Sequence, residues 1–173
     1  YTQSDPMGLR GCLGTYSYGN NDPLWFTDPL GFMGYTPLPA PYGTDDGPGT
    51  LPGQAVAGAI GDLMRGRRDM RGAATKRSDA YFHCRANCEA SKRGLSGYQA
   101  AVIGSAIREI IQNESPADRA SDEAANIQGQ CAGKGDPNAD CYKACSNLIP
   151  ASGIPRRHLP SNADPIHIYQ LPK

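Results

Sequence analysis

Residues 79–94 read DAYFHCRANCEASKRG. Ser78 or Asp79 can cap a helix that starts at Ala80. Lys92-Arg93 followed by Gly94 is a stop signal, with cations in the last turn and a residue that tolerates positive φ just beyond it. The stretch therefore predicts a helix over 79–93. Cys84 and Cys88 are four residues apart and lie on one face of it. His83 and Cys84 are sequential, so their side chains leave on different faces, which argues against a thiol protease. The plain reading of His83 is a bundle histidine hydrogen-bonded to a neighbour.

Helical signals continue on both sides. Val56, Ile60, Leu63, Met64 and Met70 fall near 3.6-residue spacing. Ala100, Ile103, Ile107, Ile110 and Ile111 form a second stripe, and Ala120, Ala124, Ile127 and Cys131 a third. Each marks an amphipathic helix that must bury one face. Ser115-Pro116 and Asp136-Pro137 place an N-cap before a proline at the first helical position. Gly133 and Gly135 follow Cys131 as stop signals. Helices are predicted near 54–74, 79–93, 97–113, 116–131 and 137–147. The expected class is all-α, with a bundle over 54–148 and an irregular, proline-rich tail over 149–173.

The front of the chain differs. Gly (21) and Pro (15) make up about a fifth of the 173 residues and are unevenly spread. Residues 33–53, MGYTPLPAPYGTDDGPGTLPG, hold five prolines and read as an extended linker. Residues 1–32 are aromatic and turn-rich, which favours short strands and turns. The opening YTQSDPM lacks the basic start and apolar centre of a signal peptide. Without an initial Met, the chain reads as a fragment or processed piece. No apolar run is long enough for a spanning helix. The formal net charge is zero, and residues 33–173 carry only +2, too little to argue for nucleic acid.

Two resemblances follow. DPMGL at 5–9, eighteen residues, then DPLGF at 28–32 resembles the end of the core of Rhs-repeat polymorphic toxins. That likeness implies self-cleavage by Asp5 and Asp28 after Phe32, with two close carboxylates sharing a proton. It also implies a β shell, a cognate immunity protein and an injected bacterial effector acting in a periplasm or on a membrane. The plain reading of each Asp-Pro-x-Gly is a turn. The second resemblance runs over roughly 61–155 and is to serum amyloid A. It rests on Asp79, Tyr81, Phe82, His83, Arg85, Asn87, Ala90 and Lys92-Arg93-Gly94. Ala100, Ala101, Arg108 and Glu109 add to it, as do Asp122, Ala124-Ala125-Asn126 and Gly135-Asp136-Pro137-Asn138. It implies a four-helix bundle wrapped by a C-terminal tail, and lipid or small apolar ligands bound by oligomers. The predicted helix 137–147 falls where that family has tail.

Beyond Asp5 and Asp28, candidate sites divide into three sets. Arg65, Arg67, Arg68 and Arg71 follow the small, apolar first half of helix 54–74. They suit an anionic membrane interface, or else a solvated basic end. Cys84, Cys88, Cys141 and Cys145 form two i, i+4 pairs. On antiparallel helices these fit the bridges Cys84–Cys145 and Cys88–Cys141, which would imply an oxidising compartment. Reduced thiols and a four-thiolate zinc site are the alternatives. Cys131 is left odd. His158, Asp164 and His167 in the tail, beside Arg156 and Arg157, offer general acid–base groups for a nuclease or other hydrolase. No GxSxG, HExxH or P-loop is present, and no cofactor is expected. The favoured function is a non-enzymatic toxin cargo acting on membrane or lipid. A hydrolase toxin or a non-toxic lipid-binding module is the alternative.

Overall fold

A computed structural model describes residues 52–75, 77–111, 115–134 and 136–169. Four long helices and one short one carry the fold: α1 (Pro52–Ala73), α2 (Asp79–Ser91), α3 (Leu95–Ile111), α4 (Pro116–Gly133) and α5 (Cys141–Cys145). Three 3-10 turns follow at Ser146–Leu148, Arg156–His158 and Pro165–His167. Among the described residues there is no strand, only a parallel bridge between Ile154 and Ile168. The described part of the chain is predominantly helical. No described helix is long and apolar enough to cross a membrane.

Helix ends follow local chemistry. Pro52 occupies the first turn of α1, where its missing N–H is not needed. Gly94, at φ +87°, reverses the chain between α2 and α3. The hydroxyl of Ser78 turns away from α2 and donates to the Thr75 carbonyl at 2.8 Å. Ser115 Oγ accepts the Asp118 amide and caps α4.

The predicted helix 137–147 is corrected. Asp136 Oδ1 accepts the Asn138 amide at 2.8 Å, closing a turn around Pro137. The helix starts only at Cys141, where Asp140 accepts the Lys143 amide at 3.0 Å. At the other side of that turn α4 runs past Cys131 to Gly133, because Gly133 is a packing residue rather than a stop. A Cβ there would overlap the Cys88 carbonyl.

The buried faces also differ from the predicted ones. In α1, Ala55, Ala59 and Asp62 are buried, whereas Val56, Ile60 and Met64 are exposed. In α3, Tyr98, Ala101 and Ser105 are buried, whereas Ile103, Ile107 and Ile111 are exposed. In α4 the buried face is Asp122, Ala125, Asn126, Gly129, Gln130 and Gly133. The stripe of Ala120, Ala124, Ile127 and Cys131 is exposed or half-buried. The reason is close approach. Gly129 and Gly133 lie against the backbone of Cys84 and Cys88, so α2 and α4 touch main chain to main chain. Only small or flat side chains fit such a seam. Where α1, α2 and α3 meet, Ala59, Ala90 and Ala101 form a cluster with Leu63.

A second core lies under the tail. Tyr81, Phe82, Cys84, Ala125, Tyr142 and Cys145 pack with Ile154, Leu159 and Ala163. Ile154 is fully buried and exchanges backbone bonds with His167 and Tyr169, both 2.9 Å. The tail is irregular in backbone and fixed in place by these contacts.

Candidate functional site

α1 and α3 run in the same direction, since Ala59 packs with Ala101 and Leu63 meets Gly104. The outward sides of the two helices carry Val56, Ile60, Met64, Ile103, Ile107 and Ile111, all more than a third exposed. Between α1, α2 and α3 opens an apolar groove with a cavity of about 290 Å³. Leu63, Met64, Met70, Phe82 and Ile107 line its walls, and Arg67 and Arg108 lie along it. Arg67 and Arg71 continue the stripe of Ile60 and Met64 at helical spacing, and both are exposed.

The floor of the groove is polar. His83, Asn87 and Ser105 line it and belong to a buried network. Asn87 Nδ2 donates to the His83 carbonyl at 2.9 Å and to Asn126 Oδ1 at 2.8 Å. Asn87 Oδ1 accepts from Ser105 Oγ at 2.8 Å and from Gln130 Nε2 at 2.9 Å. Asn87 therefore ties α2 to both α3 and α4 and uses both ends of its amide. His83 Nδ1 lies 3.1 Å from Asn126 Oδ1, and its Nε2 lies 3.1 Å from Asp122 Oδ2. The Arg108 guanidinium rests against the His83 ring and sits 3.6 Å from Asp122. The network was readable only as a pattern of polar residues at helical spacing: Asp122, Asn126 and Gln130 on α4, His83 and Asn87 on α2. The expected hydrogen-bonded role of His83 matches its place here; the roles of the others were missed.

The remaining candidates are placed as follows. Asp5, Asp28 and Phe32 lie outside the described residues. Arg65 pairs with Asp62 at 3.3 Å, away from the groove. Asp62 is buried and also takes Arg93 through two bonds of 2.6 and 3.3 Å, which raise the Arg93 pKa. Arg68 is exposed. Cys84 is joined to Cys145 and Cys88 to Cys141, with Cα–Cα distances of 5.8 and 5.6 Å. Cys131 is disulfide-bonded as well. With the four paired sulfurs in S–S bonds, no thiolate set remains there for zinc. Among the described residues no cluster of His, Cys, Asp and Glu is arranged to hold a metal.

The tail residues do not converge. His158 docks on α1, its ring against Gly72 and its Nδ1 3.6 Å from Asp69. The His158 carbonyl takes a bond from Arg85. His167 Nδ1 is 2.6 Å from the Tyr142 hydroxyl, which also accepts the Asp164 amide at 2.7 Å. The Asp164 carboxylate caps the last 3-10 turn through the Ile166 amide. Each group has a structural task, and His158 docks on α1 while Asp164 and His167 both meet Tyr142.

What these features define is a disulfide-fastened helical bundle that keeps aliphatic side chains in water above a polar floor. The profile of the family described as serum amyloid A protein matches residues 50–151. The serum amyloid A protein of Notamacropus eugenii is 47% identical over 89 residues, covering 49% of this chain and 68% of that protein. Serum amyloid A-1 protein of Homo sapiens is 44% identical over 89 residues, covering 50% and 70%. Serum amyloid A protein of Anas platyrhynchos is 39% identical over 100 residues, covering 54% and 77%. The chain belongs to the serum amyloid A family.

This membership overturns the toxin reading. The relatives are serum amyloid A proteins, not bacterial Rhs effectors. A toxin cargo released by self-cleavage after Phe32, a role in bacterial competition and a tail hydrolase are all corrected with it. A shell and an immunity protein were expected only as companions of that toxin. The physical reason for the error is that Asp-Pro-x-Gly is a turn unit. Asp accepts local backbone bonds, Pro fixes φ and Gly takes positive φ, so the sequence recurs without common ancestry.

Proposed function

We propose that this chain binds phospholipid surfaces through the outward face of α1 and α3, as a secreted protein. One observation carries the reading: six large aliphatic or thioether side chains on two parallel helices are left in water next to a groove. Single exposed apolar residues are ordinary, but a contiguous patch on a folded domain marks a contact surface. Arg67 and Arg71 extend the stripe and supply charge for lipid phosphates, as interfacial helices do. Disulfides and relatives named for serum support an extracellular setting.

The test is binding to small phosphatidylcholine vesicles, with and without phosphatidylserine, by co-flotation. Ile60→Glu and Ile107→Glu are expected to abolish binding while leaving the melting temperature unchanged, since both side chains are already half exposed. Undiminished binding by both variants would sink the proposal. Conversion of an oligomer to monomer, with vesicle binding intact, would make the face an interface between copies instead.

A further inference from the structure

We propose that the peptide bond between Arg77 and Ser78 is a processing site, cut by a serine endoprotease whose specificity pocket holds a carboxylate. The inference concerns the link between α1 and α2 and does not rest on the lipid reading above. Its first support is the state of the Arg77 side chain. It is exposed and has no hydrogen-bond or ion-pair partner among the described residues. The other described cations outside the five helices are engaged. Lys92 meets Glu89, Arg93 is bound to Asp62, and Lys134 lies over the Tyr98 ring. Arg156 donates to the Leu159 and Ser161 carbonyls, and Arg157 to the Gly72 carbonyl. Cations inside the helices sit in hydrogen-bonded backbone, which a protease cleft takes in only after unwinding.

The second support is the backbone. Ala74 and Arg77 have positive φ, +47° and +65°, a region that L side chains disfavour. Extending the loop into a protease cleft relieves both. Ser78 is buried, so the bond is reached only when its turn opens. Little holds that turn: the Ser78 amide and hydroxyl both donate to the Thr75 carbonyl, at 3.2 and 2.8 Å. The same hydroxyl makes no cap for α2, so α2 starts without the side-chain bond that secures α4. Asp79 is exposed and Ala80 half-buried, so no large apolar side chain leaves the core before Tyr81. Cleavage adds water across the bond, leaving Arg77 with a carboxylate and Ser78 with a free amine. The bridges Cys84–Cys145 and Cys88–Cys141 lie wholly on the Ser78 side, so neither spans the cut. The cut divides the outward face, with α1 on one side of it and α3 on the other.

Trypsin in catalytic amount, added to the intact, oxidised chain at neutral pH, tests this by timed mass spectrometry and N-terminal sequencing. Within residues 52–169 the first new N-terminus is expected to be Ser78. Arg77→Gly should slow that cut about a hundredfold or more, because the protease pocket loses its cation. Glycine accepts the positive φ, so this variant should melt at or above the parent temperature. Arg77→Lys, which keeps a cation, should be cut at the same bond. A first cut after any other arginine or lysine of 52–169 would overturn the inference. So would an Arg77→Gly chain cut in this loop at the parent rate. An oxidised chain left intact after the reduced, urea-unfolded chain is fully digested would overturn it as well.

Discussion

Gly129 of α4 lies against the carbonyl oxygen of Cys84 in α2, closely enough that a Cβ on Gly129 would overlap it. Gly133 meets the Cys88 carbonyl in the same way one turn later. The obstacle is main chain, which cannot rotate aside. Gly129→Ala is therefore expected to destabilise the bundle by about 2–4 kcal/mol, more than any gain in helix propensity returns. Gly61 is the control. Nothing lies within 4 Å of its missing Cβ, so Gly61→Ala should be neutral or stabilise by up to about 1 kcal/mol. Urea midpoints of the two variants measure the contrast.

Asn87 has the densest set of bonds in the buried network. Replacing it by Ala strands the Ser105 hydroxyl and the Gln130 amide and removes one partner of Asn126. The expected loss is about 3 kcal/mol or more, since buried groups left unpaired keep their full desolvation cost. Ser105→Ala, which removes one donor and leaves Asn87 Oδ1 its Gln130 bond, should cost about 1 kcal/mol. Chemical denaturation of both variants orders the two effects.

The bridges join α5 to α2 across 61 and 53 residues of sequence. In the chain-entropy account each closes a loop worth about 3–4 kcal/mol. The second closure adds less, because the first already restricts the same loop. Paired replacement of Cys84 and Cys145 by Ser should lower the melting temperature sharply. Further loss of Cys88–Cys141 should free α5 and the tail. Hydrogen exchange at Tyr142 and Ile154 reports that release.

Alkaline pH should unfold the protein through two tyrosines. Burial pushes Tyr81 and Tyr98 up to about 12 from the ordinary value of 10. Their neutral forms are favoured in the folded chain, so this stabilisation is complete below pH 10 and is lost as pH rises toward 12. Absorbance at the phenolate band should show Tyr81 and Tyr98 titrating only with unfolding. Tyr98→Phe should move the alkaline transition upward. Early, independent ionisation of both rings would contradict their burial.

The helices expected within 54–148 were legible in the sequence up to the end of α4, because caps, glycine stops and 3.6-residue periodicity are local signals. Ser115-Pro116 and Gly94 mark their boundaries wherever the helices later pack. The spacing of Cys84, Cys88, Cys141 and Cys145 likewise allowed the two bridges that form, alongside reduced thiols and zinc. Asp136-Pro137 misled as a helix start because the same residues close a turn just as well.

Which face of each helix goes inside was decided only by tertiary structure. In α1, α3 and α4 periodicity assigned the isoleucines to the core, yet mostly small and polar residues face inward there. How near two helices come depends on small residues facing each other from distant segments, such as Gly129 against Cys84. Once backbones meet at that distance, large aliphatic side chains have no room between them and are left outside. A polar residue is at home inside only where partners from other helices converge, as they do on Asn87. No single stretch of sequence carries that information, and the outward face proposed to meet lipid is its consequence.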